Sequence, residues 1–230
     1  MLRSFRFLFQ FAWINLSCLL GFAVLVVAGC YITGVPGGAD NLFATYYGAF
    51  PLVILFVLFI FAFSLCTSNL NLGLSLGARR REFFWGIQGV FAVYTGVCWA
   101  VQLLLAALPQ QCGWSEAGRW TVIRAFSGGT LWVFPLVCLT MLVLGCLAGM
   151  VSVKSKAWGA VIIFTAVIAL FVGAILLAVM ADLDAWAFLT GSAWSGLWGS
   201  LPALLTIGMF AALVIGEAVI WRQIFCFAVR

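Results

Sequence analysis

The chain has 230 residues and a mass of 24.9 kDa; 66% of its side chains are hydrophobic and only 7% are charged. Soluble domains carry about 25% charged residues, so eleven basic and six acidic side chains cannot cover a water-facing fold, and a mean hydropathy of +1.24 excludes disorder as well. The net charge of +5 comes without a long basic stretch, which argues against nucleic-acid binding, and the absence of histidine removes Ser-His-Asp triads, Cys-His nucleophiles and His-based metal sites.

This is the composition of an all-α integral membrane protein, a single transmembrane domain over residues 1–230. Charges fall in a few clumps, and each charge-free interval between them exceeds the ~20 apolar residues that one helical crossing needs. Six spans are predicted, and backbone groups in lipid must be satisfied within each segment, so they are helices. The first covers Leu8–Tyr31. Arg3 and Arg6 precede it, and its end, Val27-Ala28-Gly29-Cys30, resembles a lipoprotein cleavage box. The apolar run is longer than the ~7–15 residues of a signal core, which favours a retained first helix; cleavage at Cys30 is the alternative, and the intact mass decides between them.

The second span covers Gly48–Asn69. Its apolar stem runs on into a loop over 70–83, where Leu70, Leu72, Leu74 and Leu76 alternate with Asn, Gly and Ser before Arg79-Arg80-Arg81-Glu82. A basic anchor at an anionic leaflet is one reading of the triplet, with each basic residue contributing about 1 kcal/mol there. The Gly73–Gly77 stretch is longer than such an anchor or a tight turn needs. The third span, Phe84–Leu108, leads to an outer loop with Cys112, Glu116, Arg119 and Arg124, and the fourth is Leu131–Val151. Lys154 and Lys156 then precede the fifth, Trp158–Met180. An outer segment, 182–200, separates it from the sixth, Leu201–Trp221.

Orientation follows from the basic residues. Arg3, Arg6, Arg79, Arg80, Arg81, Lys154, Lys156, Arg222 and Arg230 fall on one side of the predicted membrane, and only Arg119 and Arg124 fall on the other. Positive-inside bias puts both termini in the cytoplasm. Trp85, Trp114, Trp120, Trp132, Trp158, Trp186, Trp194, Trp198 and Trp221 cluster near predicted interfaces, as amphipathic rings do. Gly145 and Gly149, then Gly208, Ala212 and Gly216, form small-residue rows for close helix packing, within the chain or between subunits. Glu217 is the sole carboxylate within a predicted span, and so a candidate intramembrane functional residue; a structural ion pair at the inner surface is the preferred reading, with a proton-coupling role as the alternative. The cysteines in or near the spans read as small apolar residues; a pairing of Cys30 with Cys112, both toward the outer face, is the less favoured alternative. No CxxC or metal-ligand spacing occurs.

The loop Leu74-Ser75-Leu76-Gly77-Ala78-Arg79-Arg80-Arg81-Glu82-Phe83-Phe84 resembles the L-S-x-G-x-x-R-[RK]-x-F-F signature of permease subunits in ABC-2-type ABC transporters, and the six-span, N-in/C-in layout is similar to theirs. The resemblance implies a non-catalytic, half-size bacterial permease, most often an exporter, in the cytoplasmic membrane. It also implies that Leu74, Ser75, Gly77, Arg79, Arg80, Arg81 and Glu82 form a coupling helix that docks on an ATPase subunit. Segment 182–200, with Gly191, Gly196 and Gly199, is similar to that family's outer re-entrant hairpin. No GxxxxGK[ST] sequence occurs, so this chain is expected to bind no cofactor itself, with ATP and magnesium held by the partner ATPase. Its partners would be ABC ATPase subunits, a second permease copy or a paralogue, and lipid. Asn15, Gln88, Tyr94, Gln102 and Thr206 are polar candidates for lining a passage. The rival readings are a six-helix substrate-binding subunit of a vitamin-uptake transporter and a non-transporting sensor or immunity subunit. A membrane-embedded hydrolase has no acid/base pair to work with.

Overall fold

A computed structural model of the protein describes residues 2–33, 42–75, 79–112, 133–165, 167–168 and 201–226. Every element among them is helical. Helix α1 (Leu2–Thr33) buries Leu8, Ala12, Leu16, Leu19, Ala23, Val26 and Cys30, a stripe that recurs every three or four residues, as one face of a helix does. Its partner is α5 (Arg80–Gln111), which buries Ile87, Phe91, Tyr94, Cys98, Val101 and Leu105 with the same spacing. At 32 residues each and ~1.5 Å per residue, these helices are longer than the roughly 30 Å hydrocarbon core.

Between them the chain forms α2 (Leu42–Gly48), turns at Ala49, and enters α3 (Phe50–Ser64). Pro51 lies in the first turn of α3, where a missing amide hydrogen costs nothing. The second span runs on beyond Asn69, as its apolar stem in the sequence does. It passes through a π-helix (Leu65–Asn69) directly into α4 (Leu70–Ser75). The Thr67 hydroxyl donates to the Phe63 carbonyl at 3.0 Å and to that of Ser64 at 3.3 Å, satisfying acceptors that the wider turn leaves poorly paired. Most of the expected 70–83 loop is therefore helix: α4 occupies its first half, and α5 begins at Arg80 instead of Phe84.

Helix α6 (Val133–Lys154) packs most extensively against α3. Gly145 and Gly149 make this contact close: an added Cβ would lie 2.5 Å from the Phe59 carbonyl oxygen and 2.7 Å from that of Phe63. Helix α8 (Leu201–Cys226) lies on α6, with Gly216 against Val143. The two small-residue rows thus divide. Gly145, Gly149 and Gly216 serve packing within the chain, whereas among the described residues Gly208 has nothing within 4 Å of an added Cβ and Ala212 is exposed.

Five helices among the described residues are long and apolar enough to cross a membrane: Phe5–Thr33, Phe50–Asn69, Arg80–Pro109, Val133–Lys154 and Ile207–Phe225. They coincide with five of the six predicted spans. The remaining one, Trp158–Met180, begins as the apolar helix α7 (Lys156–Thr165); most of the rest of it lies outside the described residues. The outer segment 182–200, Gly77, and the loop with Glu116, Arg119 and Arg124 lie outside them as well.

The Cys30–Cys112 pairing, left open from the sequence, is not made. Cys30 is free and buried on α1, and Cys112 is free and exposed just beyond α5. The disulfide joins Cys66, in the π-helix, to Cys146 on α6, with Cα atoms 5.5 Å apart. Cys66 lies against Gly149, so the close α3–α6 approach that the glycines allow also brings the two thiols together.

Candidate functional site

One end of the bundle gathers the basic residues. Arg79, the N-cap of α5, is exposed, as are Arg80, Arg81, Lys154, Lys156 and Arg222. Trp85, Trp158 and Trp221 lie near the same helix ends and are 48%, 66% and 38% exposed, as rings at a membrane–water boundary would be. Helix α4 arrives here from the second span. Leu72 is exposed, while Gly73 is buried under the Phe83 ring, which an added Cβ would meet at 2.4 Å. Glycine at that position lets the fully buried Phe83 clamp α4 onto the start of α5.

The coupling-loop candidates do not share one environment. Ser75 is exposed and donates to the Leu72 carbonyl at 2.8 Å, closing the last turn of α4. Arg79 and Arg81 project outward. Arg80 is also exposed, but its guanidinium donates to the Phe225 carbonyl near the end of α8. A basic group there satisfies an orphan carbonyl and complements the negative helix end. Glu82 sits in the first turn of α5, the favourable end for a carboxylate. Of Leu74 the structure describes only its place in α4.

The Arg80 bond is the first of three cross-links between α5 and α8. Next, the Phe84 and Trp221 rings meet edge-to-face with centroids 4.6 Å apart and planes at 89°. The third rung is the Gln88 amide, which donates to the Glu217 carboxylate. Residues 80, 84 and 88 lie one turn apart on α5, and 217, 221 and 225 do so on antiparallel α8, so the partners meet in reverse order like rungs. A neighbouring tie runs from Lys154 Nζ on α6 to Gln223 Oε1 on α8.

Glu217 is therefore half-buried and bonded to a neutral amide, which corrects the expected ion pair with the inner surface. The polar candidates for a passage lining are also redistributed. Tyr94 is buried and donates to Asn15 Oδ1, tying α5 to α1; Gln88 serves Glu217; and Gln102 is fully buried in the bundle. The side chain of Thr206 lies outside the described residues. The rungs were not foreseen from sequence. The four-residue spacing of Arg80, Phe84 and Gln88, and of Glu217, Trp221 and Phe225, is the signal that marks both faces, but nothing in the spacing pairs them.

Among the described residues no cluster of His, Cys, Asp or Glu could hold a metal ion. No family model, curated protein or solved structure matches the chain.

Proposed function

We propose that this chain is the membrane-spanning permease subunit of an ATP-driven ABC transporter of the ABC-2 type, an exporter in the bacterial cytoplasmic membrane that uses a separate ATPase subunit. The observation that supports the reading is the continuation of the second span through a π-helix into α4, ending beside the exposed Arg79 and Arg81. A helix that protrudes in register with a span can carry a push on its tip into the membrane. A loop serving only as a charge anchor needs no such rigid connection. The basic tip suits an acidic groove on the partner, and the clamp of Phe83 over Gly73 makes α4 and the base of α5 move together. Two permeases, as a homodimer or with a paralogue, would form the passage between them.

Arg80 alters how this is tested. It holds the end of α8, so replacing the whole triplet would mix lost docking with a loosened bundle. The informative variant is R79A/R81A. Affinity purification of the tagged chain in mild detergent, followed by mass spectrometry, is expected to recover an ATPase subunit in stoichiometric amount from wild type and to lose it from R79A/R81A. Recovery of the chain without an ATPase, or equal recovery with both chains, overturns the proposal.

A further inference from the structure

We propose that Glu217 and Gln88 form a proton-operated latch between α5 and α8, with the Glu217 carboxyl as the proton-binding site. The inference does not depend on the permease reading. It starts from the bonding: the half-buried carboxylate accepts from a neutral amide, Gln88 Nε2. Charged groups on the adjoining elements are engaged elsewhere or displaced. On α5, Arg80 bonds the Phe225 carbonyl, and Tyr94 bonds Asn15. On α6, Lys154 bonds Gln223 and Cys146 is in a disulfide. On α8 itself, Arg222 is exposed and five positions further on, off the i,i+4 row that would pair it with Glu217. Among the described residues no countercharge meets Glu217, and a carboxyl paired with a neutral amide is a group at which a proton can be bound.

The neighbour is suited to both states. As a carboxylate, Glu217 accepts one N–H from Gln88. When it takes a proton from water at the basic end of the bundle, its new O–H donates to Gln88 Oε1, while Gln88 Nε2 continues to donate to the other carboxyl oxygen. One bond becomes a reciprocal pair, the charge disappears, and no other group has to move a proton. An amide with both donor and acceptor on one side chain is the residue type that permits this. The Phe84–Trp221 contact one turn away keeps the two helix faces aligned in either state.

Infrared difference spectra of the purified full chain in lipid nanodiscs, acid minus alkaline, test the latch. Each of the three glutamates contributes to such a spectrum, so the chain is read as E82Q/E116Q, which leaves Glu217 as the one glutamate. A protonated-carboxyl band that moves on isotopic labelling of glutamate is expected there and should be lost in E82Q/E116Q/E217Q. In E82Q/E116Q/Q88L the band should persist but shift to the position of an acid lacking that hydrogen-bond partner, which keeps the latch testable should the E217Q chain fold poorly. The latch is overturned by the absence of a titrating glutamate band in E82Q/E116Q, by its survival in E82Q/E116Q/E217Q, or by an unshifted band in E82Q/E116Q/Q88L.

Discussion

Pro109 lies in the last turn of α5 and has no amide hydrogen to donate to the carbonyl four residues back, at Leu105. The Tyr47 hydroxyl, from α2, donates to that carbonyl and is itself fully buried. A break in one helix thus becomes an anchor for another. Tyr47→Phe is expected to lower stability by about 1–2 kcal/mol, because it strands a buried acceptor. In a Pro109→Ala background, where the helix restores its own bond, the same substitution should cost appreciably less. A double-mutant cycle of thermal unfolding in detergent reads the difference; equal costs in both backgrounds would remove Pro109 from the explanation. Thr95 is a contrasting case. Among the described residues its buried hydroxyl has no hydrogen-bond partner, so Thr95→Val should be neutral or mildly stabilising in the same assay.

Helix pairing depends on which glycines meet a neighbour. Gly145→Ala would push a methyl group against the Phe59 carbonyl oxygen. With backbone as the obstacle, a loss of about 1–3 kcal/mol is expected, typical of overpacking. Gly208→Ala meets nothing within 4 Å among the described residues and should gain up to ~1 kcal/mol from helix propensity alone. Unfolding temperatures of the two variants should move in opposite directions. The pattern of small residues was legible in the sequence, but their division was not. Spacing gives the face on which a glycine lies, and only the placement of α3 and α6 around it shows whether that face is occupied. The α4 segment was half legible: Leu70–Leu76 reads as an amphipathic stretch, while its continuity with the second span depends on a π-turn that no periodicity announces.

Across the whole molecule, the basic residues converge at one end because α5 starts there and α6 and α8 finish there. The bonds from Arg80 to Phe225 and from Lys154 to Gln223 hold those ends together. Arg80→Ala should therefore reduce stability by about 1 kcal/mol, the scale of one hydrogen bond, whereas R79A/R81A should unfold like wild type. Cys66, in the last turn of the second span, and Cys146, on α6, join the second span to the fourth. Maleimide labelling of the denatured, unreduced chain, read by peptide mass spectrometry, should modify Cys30 and Cys112 and spare this pair.

What the sequence by itself determined was the class of structure, an all-helical chain with several segments long and apolar enough to cross a membrane. Those properties follow from sums over many residues, apolar content and charge-free length, neither of which depends on exact packing. Five predicted spans recur as helices because each is long enough to satisfy its own backbone in lipid. Only the tertiary structure decided the pairings: Gln88 with Glu217, Tyr47 with the Leu105 carbonyl, Cys66 with Cys146, and Arg80 with the end of α8. Each joins residues far apart in the chain, and each depends on helix rotation and offset to within about one turn. In spans apolar on nearly every side, hydrophobic pattern alone does not specify that rotation. It is specified by glycine contacts and by the few polar side chains that must find one another.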